Sequence, residues 1–166
     1  MKKILVLVFA VTLAACGGGD TEPTSNLPRG VTDTAIIIGS HNDLSGPLAI
    51  WGVPMINGMR MRFAELNEAG GVHGRKVEFH VEDAQYQVPL AVKAVNKLIN
   101  VDEVFAMLGA MGTPMTHATF DRLFEANVPS LFPLTAARSM YEPLHPLKFA
   151  FTLSYQDQVR GAIRYM

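Results

Sequence analysis

Ala35-Ile36-Ile37-Ile38-Gly39 is the stretch of sequence on which the fold depends. It is short, continuous and β-branched, which is typical of a strand buried on both faces of a parallel sheet. Apolar residues then recur at helical spacing from Met55 to Leu66, and Gly70-Gly71 predicts the end of that helix. We expect this methionine-rich stripe to be core packing. Residues 76–82 alternate apolar and charged side chains, as a half-buried strand does.

The same alternation of strand and helix continues along the chain. Further helices are predicted to begin at Pro89, at Thr113-Pro114 with Thr113 as N-cap, and at the capping-box pattern of Ser154 and Asp157. Apolar runs predict three more strands, at 104–108, 128–132 and 148–153. The pattern therefore predicts an α/β fold, a Rossmann-like open parallel sheet with helices on both faces.

Composition excludes several classes of protein. With 166 residues, of which 49% are hydrophobic and 17% charged, the chain is not disordered. A net charge of −1 offers no basic surface for nucleic acid. The single cysteine excludes a disulfide framework and a CxxC zinc site. The sequence has neither a GxGxxG nor a phosphate-loop motif, and its histidines lack ligand spacing, so we expect no metal and no cofactor.

The first residues have the pattern of an export signal. Met1-Lys2-Lys3 is basic, and the apolar run after it is shorter than the roughly 20 residues of a membrane-spanning helix. Leu13-Ala14-Ala15-Cys16 resembles the lipobox of bacterial lipoproteins, in which the cysteine is acylated after cleavage; the alternative is an ordinary secretory signal with an accidental cysteine. We therefore predict a signal peptide over 1–15, a lipidated Cys16 with a flexible tether over 16–32, and a globular lobe over 33–166.

Ligands of open α/β sheets bind beyond the carboxyl ends of the strands. The loops predicted at that edge are 41–52, 83–88, 109–114 and 133–139. Trp51, the one tryptophan, offers an apolar face and an N–H donor, or alternatively covers the end of the sheet. The loop at 109–114 places backbone N–H groups and the Thr113 hydroxyl at a helix start, where a carboxylate is favoured. The segment 133–137 also exposes backbone groups and a hydroxyl; the alternative for both loops is a capped turn without a ligand.

Catalytic and metal constellations are weak in this sequence. No GxSxG motif occurs. His41, Asp43 and Ser45 are the residue types of a catalytic triad, but they lie too close in sequence to be interpreted as one. Glu82-Asp83 contains two metal-ligand types, yet adjacent strand residues point to opposite faces, which favours a solvated loop start. We predict no catalytic residues and no metal site.

A family resemblance is carried by several segments together. They are Ile38-Gly39, Leu44-Ser45-Gly46-Pro47, Asn67 to Lys76, Glu82-Asp83 and the loop that begins at Pro133. Through them the chain resembles, from about Asp33 to Tyr165, the periplasmic solute-binding proteins of branched-chain amino acid ABC importers, the leucine/isoleucine/valine-binding family. The resemblance implies a type I binding protein with two lobes that close on a solute. This chain would be the tether and first lobe, with the second lobe absent.

The resemblance also implies a set of ligand-binding residues. Trp51 falls where the family places an aromatic residue against the ligand side chain. Thr113 falls on the hydroxyl that holds the amino acid carboxylate, and Gly112 lies beside it. The segment that grips the ammonium and carboxylate groups falls on Leu134, Thr135 and Ala136. The family's hydroxyl position carries Ala136 here, and Thr135 precedes it.

These observations predict a lipid-anchored binding protein in the periplasm or at the cell surface. It would capture a branched-chain amino acid or a similar small polar solute and deliver it to an ABC permease in the inner membrane, without catalysis. Its membrane contact would be the lipid anchor. The alternative is the ligand-binding domain of an extracytoplasmic sensor. An exported hydrolase is disfavoured because the sequence offers no nucleophile and base.

Overall fold

The computed structural model describes residues 27–166, so the predicted signal peptide and most of the predicted tether lie outside the described residues. Within residues 27–166, five strands and four α-helices alternate. The strands are β1 (Ala35–Asn42), β2 (Lys76–Asp83), β3 (Ala106–Leu108), β4 (Ser130–Leu131) and β5 (Lys148–Phe149). The helices are α1 (Ala49–Glu68), α2 (Val88–Asn100), α3 (Thr113–Glu125) and α4 (Tyr155–Arg164), with a short 3-10 helix at Arg138–Met140. None of the helices in this region is long and apolar enough to cross a bilayer.

The strands form one parallel sheet in the order β2-β1-β3-β4-β5. β1 and β2 pair along their whole length, from Ala35 opposite Lys76 to Asn42 opposite Asp83. The chain winds one way from β1 to β2 and the other way from β3 onward. The reversal lies between β1 and β3, which is where open α/β sheets bind ligands. The predicted fold class is confirmed.

Helices cover both faces of the sheet. On one face, Phe63 of α1 packs edge-to-face on Phe79 of β2, with ring centroids 5.2 Å apart. On the other face, α2 and α3 bury a cluster with the strands and loops beneath them. Its members are Val95, Leu98, Ile99, Val104, Met107, Leu123 and Val128. Each fully buried side chain of this kind stabilises the fold by about 1.5–3 kcal/mol.

Helix α1 ends in a Schellman motif that fixes the chain before β2. The Gly71 N–H donates to the Leu66 carbonyl at 2.8 Å, and the Gly70 N–H donates to the Asn67 carbonyl at 3.2 Å. Both glycines adopt positive φ, which the motif requires at Gly70. The Asn67 amide also bonds the N–H and the carbonyl of Val77, at 2.7 and 2.9 Å. The end of α1 is therefore attached to the beginning of β2.

Several element boundaries differ from those predicted. Helix α1 begins at Ala49, so Trp51 lies in its first turn and not in a loop. β1 continues to Asn42 and includes His41. Gly112 is the N-cap of α3, and Thr113 is therefore its first helical residue rather than its cap. Gly112 has a φ of 91°, which lies outside the helical region, and α3 begins immediately after it, one residue earlier than predicted.

The last three strands are shorter than predicted. Pro129 has no N–H to donate to the ladder, and β4 begins only after it. Phe132 has a φ of 51°, outside the strand region, and β4 ends before it. β5 lies at the edge of the sheet and pairs with β4 alone, over two residues. The apolar runs therefore predict correctly that three strands exist here, but they overestimate the length of each strand.

Within the Met55–Leu66 stripe of α1, only Ile56 is fully buried, so the predicted core role of the stripe holds only in part.

Candidate functional site

The loop between β1 and α1 is built around the buried carboxylate of Asp43. This carboxylate accepts hydrogen bonds from the backbone N–H groups of Gly46 and Leu48, the latter at 2.7 Å. Gly52 allows α1 to approach the same loop, because a Cβ there would lie 1.9 Å from the Asp43 carbonyl oxygen. The first turn of α1, with Trp51, is thereby fixed against the end of β1.

Asp83 at the end of β2 holds the same loop from its other side. Its carboxylate accepts from the Leu44 and Gln85 N–H groups at 3.0 Å each, and from the Ser45 hydroxyl. Partial burial raises the pKa of Asp83, but these hydrogen bonds together outweigh it, and the pKa lies below its usual value. Asp83 therefore serves the loop as an ionised acceptor.

The start of α3 lies against the loop after β2. A Cβ on Gly112 would lie 2.2 Å from the Met115 methyl carbon and 2.8 Å from the Tyr86 ring, so only glycine fits there. Among the described residues, no side chain caps this helix. The first N–H groups of a helix have no acceptor within the helix, and they carry its positive dipole end. This end of α3 is therefore suited to an anionic group.

Three hydroxyl groups lie together beside the start of α3. The Thr113 and Thr135 hydroxyl oxygens are 2.6 Å apart, and the Tyr155 hydroxyl lies 3.5 Å from that of Thr135. The hydrogen bond with Thr135 lowers the pKa of Tyr155. The Tyr155 N–H also donates to the Ala136 carbonyl at 3.0 Å, which attaches the start of α4 to the loop after β4. We call Thr113, Thr135 and Tyr155 the hydroxyl cluster.

A cavity of about 260 Å³ opens at this edge of the sheet. The hydroxyl cluster forms its polar end, and aliphatic and aromatic side chains form the rest of its wall. Its lining residues are Leu48, Trp51, Tyr86, Met111, Gly112, Thr113, Leu134, Thr135 and Tyr155. Trp51 is 68% exposed, so its indole stands open at the rim. The lining contributed by residues 27–166 contains no Asp, Glu, Lys, Arg or His.

The structure brings five of the six predicted ligand-binding residues to this one cavity. They are Trp51, Gly112, Thr113, Leu134 and Thr135. Ala136 does not line it; this residue is buried, and its carbonyl accepts the Tyr155 N–H. Contact between these residues and a ligand stays a prediction.

Sequence reasoning missed four lining residues, namely Leu48, Tyr86, Met111 and Tyr155. The first three lie in loops that the sequence predicts at this edge, so their large side chains could have indicated that they line a cavity there. Tyr155 follows β5, whose carboxyl end also points to this edge, so the topology of the sheet is the signal for this residue.

The triad residue types near β1 do not form a catalytic relay. His41 is completely buried, and neither of its ring nitrogens has a hydrogen-bond partner among the described residues. Burial lowers the pKa of His41 to about 4, so the imidazole is neutral. The Asp43 carboxylate instead accepts the Leu48 N–H, and the Ser45 hydroxyl donates to Asp83.

The two acids at the end of β2 also serve separate purposes. Glu82 forms an ion pair with Lys97 of α2 at 2.7 Å, whereas Asp83 holds the loop. Lys97 lies between Asp102 and Glu82, and hydrogen bonds to these two raise the pKa of Lys97 to about 12. Among the residues that the structure describes, no group of three or more His, Cys, Asp or Glu could hold a metal ion.

Comparison with known proteins gives consistent similarities. A family model described as periplasmic binding protein matches residues 35–166. A Leu/Ile/Val-binding protein, BraC3, of Rhizobium johnstonii is 29% identical over 102 residues, which is 61% of this chain and 28% of that protein.

Two solved structures show the same arrangement of elements. A substrate-binding periplasmic protein from Ralstonia solanacearum is 30% identical with a TM-score of 0.71, over 78% of this chain and 38% of that one. A fatty acid ABC transporter substrate-binding protein from Thermomonospora curvata is 25% identical with a TM-score of 0.75, over 83% of this chain and 34% of that one. The chain thus spans between 28% and 38% of the length of these three relatives.

Proposed function

Because this chain belongs to the periplasmic binding protein family, we propose that it captures a small solute outside the cytoplasm for uptake by an ABC importer. The solute is a branched-chain amino acid or a similar small molecule that carries a carboxylate. The match to the family confirms the resemblance found in the sequence. The delivery partner under this proposal is a permease in the inner membrane.

One observation carries the proposal: a cavity at the reversal point of the sheet has a hydroxyl cluster at one end and apolar walls elsewhere. A carboxylate at the polar end accepts hydrogen bonds from the hydroxyls and from the first turn of α3. The apolar body of the solute then packs on Trp51 and Leu134. The ligand classes named for two of the relatives, Leu/Ile/Val and fatty acid, share a carboxylate on an apolar body, which supports this reading.

Rough energies agree with reversible capture. Hydrogen bonds to a charged group contribute about 1.5–3 kcal/mol each. Two or three of them and a buried apolar side chain contribute roughly 5–12 kcal/mol, which is of the same order as the cost of association, so the net affinity of these contacts is modest. Affinity in this range suits a protein that must also release its solute.

Isothermal titration calorimetry on the full chain, with a panel of amino acids and small carboxylic acids, tests the proposal. We expect binding of at least one apolar member, weakened about tenfold by Thr113→Val because one hydroxyl donor is lost. The matched control is Thr116→Val, one turn later on α3, whose buried hydroxyl has no partner within residues 27–166. Absence of heat with every member of the panel would contradict the proposal.

The lipid anchor is a second part of the proposal and depends on the sequence around Cys16. Acyl chains on Cys16 hold the protein at the outer side of a membrane, in the periplasm or at the cell surface. Mass spectrometry of the membrane fraction should find the cysteine acylated, and Cys16→Ser should move the protein to the soluble fraction. An unmodified thiol in the membrane fraction would refute the anchor.

A further inference from the structure

We infer that Tyr86 is a specificity-determining residue of the cavity, because its ring limits the length of the apolar body that a solute can place there. An unfavourable backbone conformation holds the ring in this position. The inference rests on the proposed function of the same cavity, and it adds which side chain selects among solutes of the proposed class.

Tyr86 lies in a tight turn directly after β2. The Gln87 N–H donates to the Ala84 carbonyl at 2.8 Å, which closes a four-residue turn. Both central residues of this turn have positive φ, with 48° at Gln85 and 55° at Tyr86. This is the pattern of a type I′ turn, whose central positions usually carry glycine, asparagine or aspartate. Glutamine and tyrosine therefore occupy positions whose backbone conformation is unfavourable for them.

Contacts on both sides of the turn impose this conformation. The Asp83 carboxylate accepts the N–H groups of Gln85 and Leu44 at 3.0 Å each, so it joins the turn to the loop before α1. Gly46 of that loop lies directly against the turn, because a Cβ there would be 2.7 Å from the Gln85 carbonyl oxygen. Strained residues persist where the surrounding structure over-determines them, and they cluster at binding sites.

The turn places the Tyr86 ring at the start of α3. A Cβ on Gly112 would lie 2.8 Å from the ring, so the two are in direct contact. The ring also packs against the buried cluster of Ala84, Ala91 and Met115. It is half-buried and lines the cavity. Packing therefore fixes the ring, and its remaining surface is part of the cavity wall.

Core packing alone does not require a strained turn at this position. Val88 and Leu90 pack against the same buried cluster from the first turn of α2, where the backbone is helical. Tyr86 differs from these two residues because it also lines the cavity. The strained conformation is therefore best explained by the contribution of the ring to the cavity wall.

An aromatic ring held in this way selects solutes by size. Tyrosine has only two side-chain torsions, so it forms a rigid wall at a low cost in conformational entropy. In a hydrophobic pocket, one methylene more or less changes binding by roughly 10–200-fold. A shorter side chain at Tyr86 should therefore admit a longer apolar body, and a larger ring should exclude it.

Calorimetry on the full chain with two pairs of solutes tests this inference. The pairs are leucine with 2-amino-5-methylhexanoate, and 4-methylpentanoate with 5-methylhexanoate; the second member of each pair is one methylene longer. Tyr86→Leu keeps an apolar side chain but shortens it, and should raise the affinity of the longer solute relative to the shorter by about fivefold or more. Tyr86→Trp should shift this ratio in the opposite direction, and Tyr86→Phe should leave it within about twofold of the parent protein.

Gln85→Leu is the matched control. It places the same new residue at the adjacent position of positive φ, where the side chain is exposed and does not line the cavity. We expect this variant to keep the ratio of the parent protein. An unchanged ratio in both Tyr86→Leu and Tyr86→Trp, or an equal shift in Gln85→Leu, would overturn the inference and leave the proposed function intact. Failure of both pairs to bind the parent protein would also overturn it, and failure of the whole panel would overturn the proposed function as well.

Discussion

At the scale of single residues, the absence of a side chain at Gly112 shapes the cavity. Its φ of 91° suits glycine, and the space where a Cβ would stand is filled by the Met115 methyl group and the Tyr86 ring. Tyr86 can therefore form one wall of the cavity directly against the start of α3. Any side chain at this position would push that wall outward.

Gly112→Ala should lower the free energy of unfolding by about 1–3 kcal/mol, because it adds both a strained φ and a steric clash. It should also weaken solute binding. The control is Gly58→Ala in the middle of α1, where the added Cβ would have no described atom within 4 Å apart from its chain neighbours and the backbone of its own helix. That change should stabilise the protein by roughly 0.5–1 kcal/mol. Urea unfolding of both variants measures the contrast, and equal effects would contradict it.

His41 gives the protein a defined response to acid. Burial lowers its pKa from 6.5 to about 4, so between these values the unfolded chain binds a proton that the folded chain does not. The folded state therefore loses stability as the pH falls from 6.5 towards 4, by up to about 1.4 kcal/mol per pH unit.

His41→Leu should remove this part of the pH dependence, since leucine needs neither a proton nor a partner. His73→Asn is the control, because His73 is exposed and its positive φ is one that asparagine tolerates. Urea unfolding at several pH values from about 7 to about 4.5 compares the slopes. The expectation is wrong if the His41 variant keeps the slope of the parent protein.

At the scale of elements, the end of α1 and the start of β2 act as one unit. The Schellman motif turns the chain, and the Asn67 side chain bonds both backbone groups of Val77. β2 lies at the edge of the sheet, and the Asn67 side chain supplies the two hydrogen bonds that a further strand would make with Val77. The segment from Asn67 to Lys76 that carried the family resemblance thus has a structural purpose.

Asn67→Ala should lower the free energy of unfolding by about 1–3 kcal/mol, because it leaves the N–H and carbonyl of Val77 without partners. Its neighbour Glu68 is exposed, and Glu68→Ala should change stability by less than about 0.5 kcal/mol. Chemical denaturation of the two variants measures the change in the free energy of unfolding at each position. A loss of similar size at both positions would show that helix composition, rather than the amide bridge, is responsible.

Elements with strong local signals could be predicted from the sequence, whereas boundaries that depend on tertiary contacts could not. β2 and α2 were predicted almost to the residue because alternation and Pro89 are local signals. The early start of α1 depends on Asp43 and Gly52, whose contacts form only in the folded chain. Trp51 was consequently assigned to a loop.

The same distinction applies to the candidate site. Thr113 and Thr135 meet because they follow adjacent parallel strands, a consequence of topology that the sequence pattern could predict. Tyr155 joins them from a different helix, and its approach depends on a backbone bond to Ala136. Nothing local in the sequence marks that bond, so neither the contact of Tyr155 with Thr135 nor the burial of Ala136 was predictable.

At the scale of the whole molecule, apolar surface is concentrated near β5 and α4. Within residues 27–166, no residue of α4 is buried, and its apolar side chains recur every four residues on one face. The exposed apolar residues of this region include Phe149, Phe151, Leu153, Val159 and Ile163. Monomeric soluble proteins rarely expose large apolar patches, so this concentration of exposed apolar side chains favours association.

A protein limited to the present chain should therefore self-associate as its concentration rises, which light scattering measures. Val159→Lys combined with Ile163→Lys should reduce the association by charging the α4 face. Val101→Lys combined with Leu144→Lys adds the same charge at two other exposed positions and should not reduce it. Equal effects of the two pairs would show that net charge alone controls association.

The residues of the cavity wall lie in separate segments that follow the strands. The sheet itself is held elsewhere, by the pairing of β1 with β2 and by the core beneath α2 and α3. Leu48, Trp51 and Leu134 are not fully buried and can therefore be randomised together while the scaffold stays constant. A combinatorial library at these three sites would turn the lobe into a starting point for biosensors with new analytes, selected without redesigning the sheet.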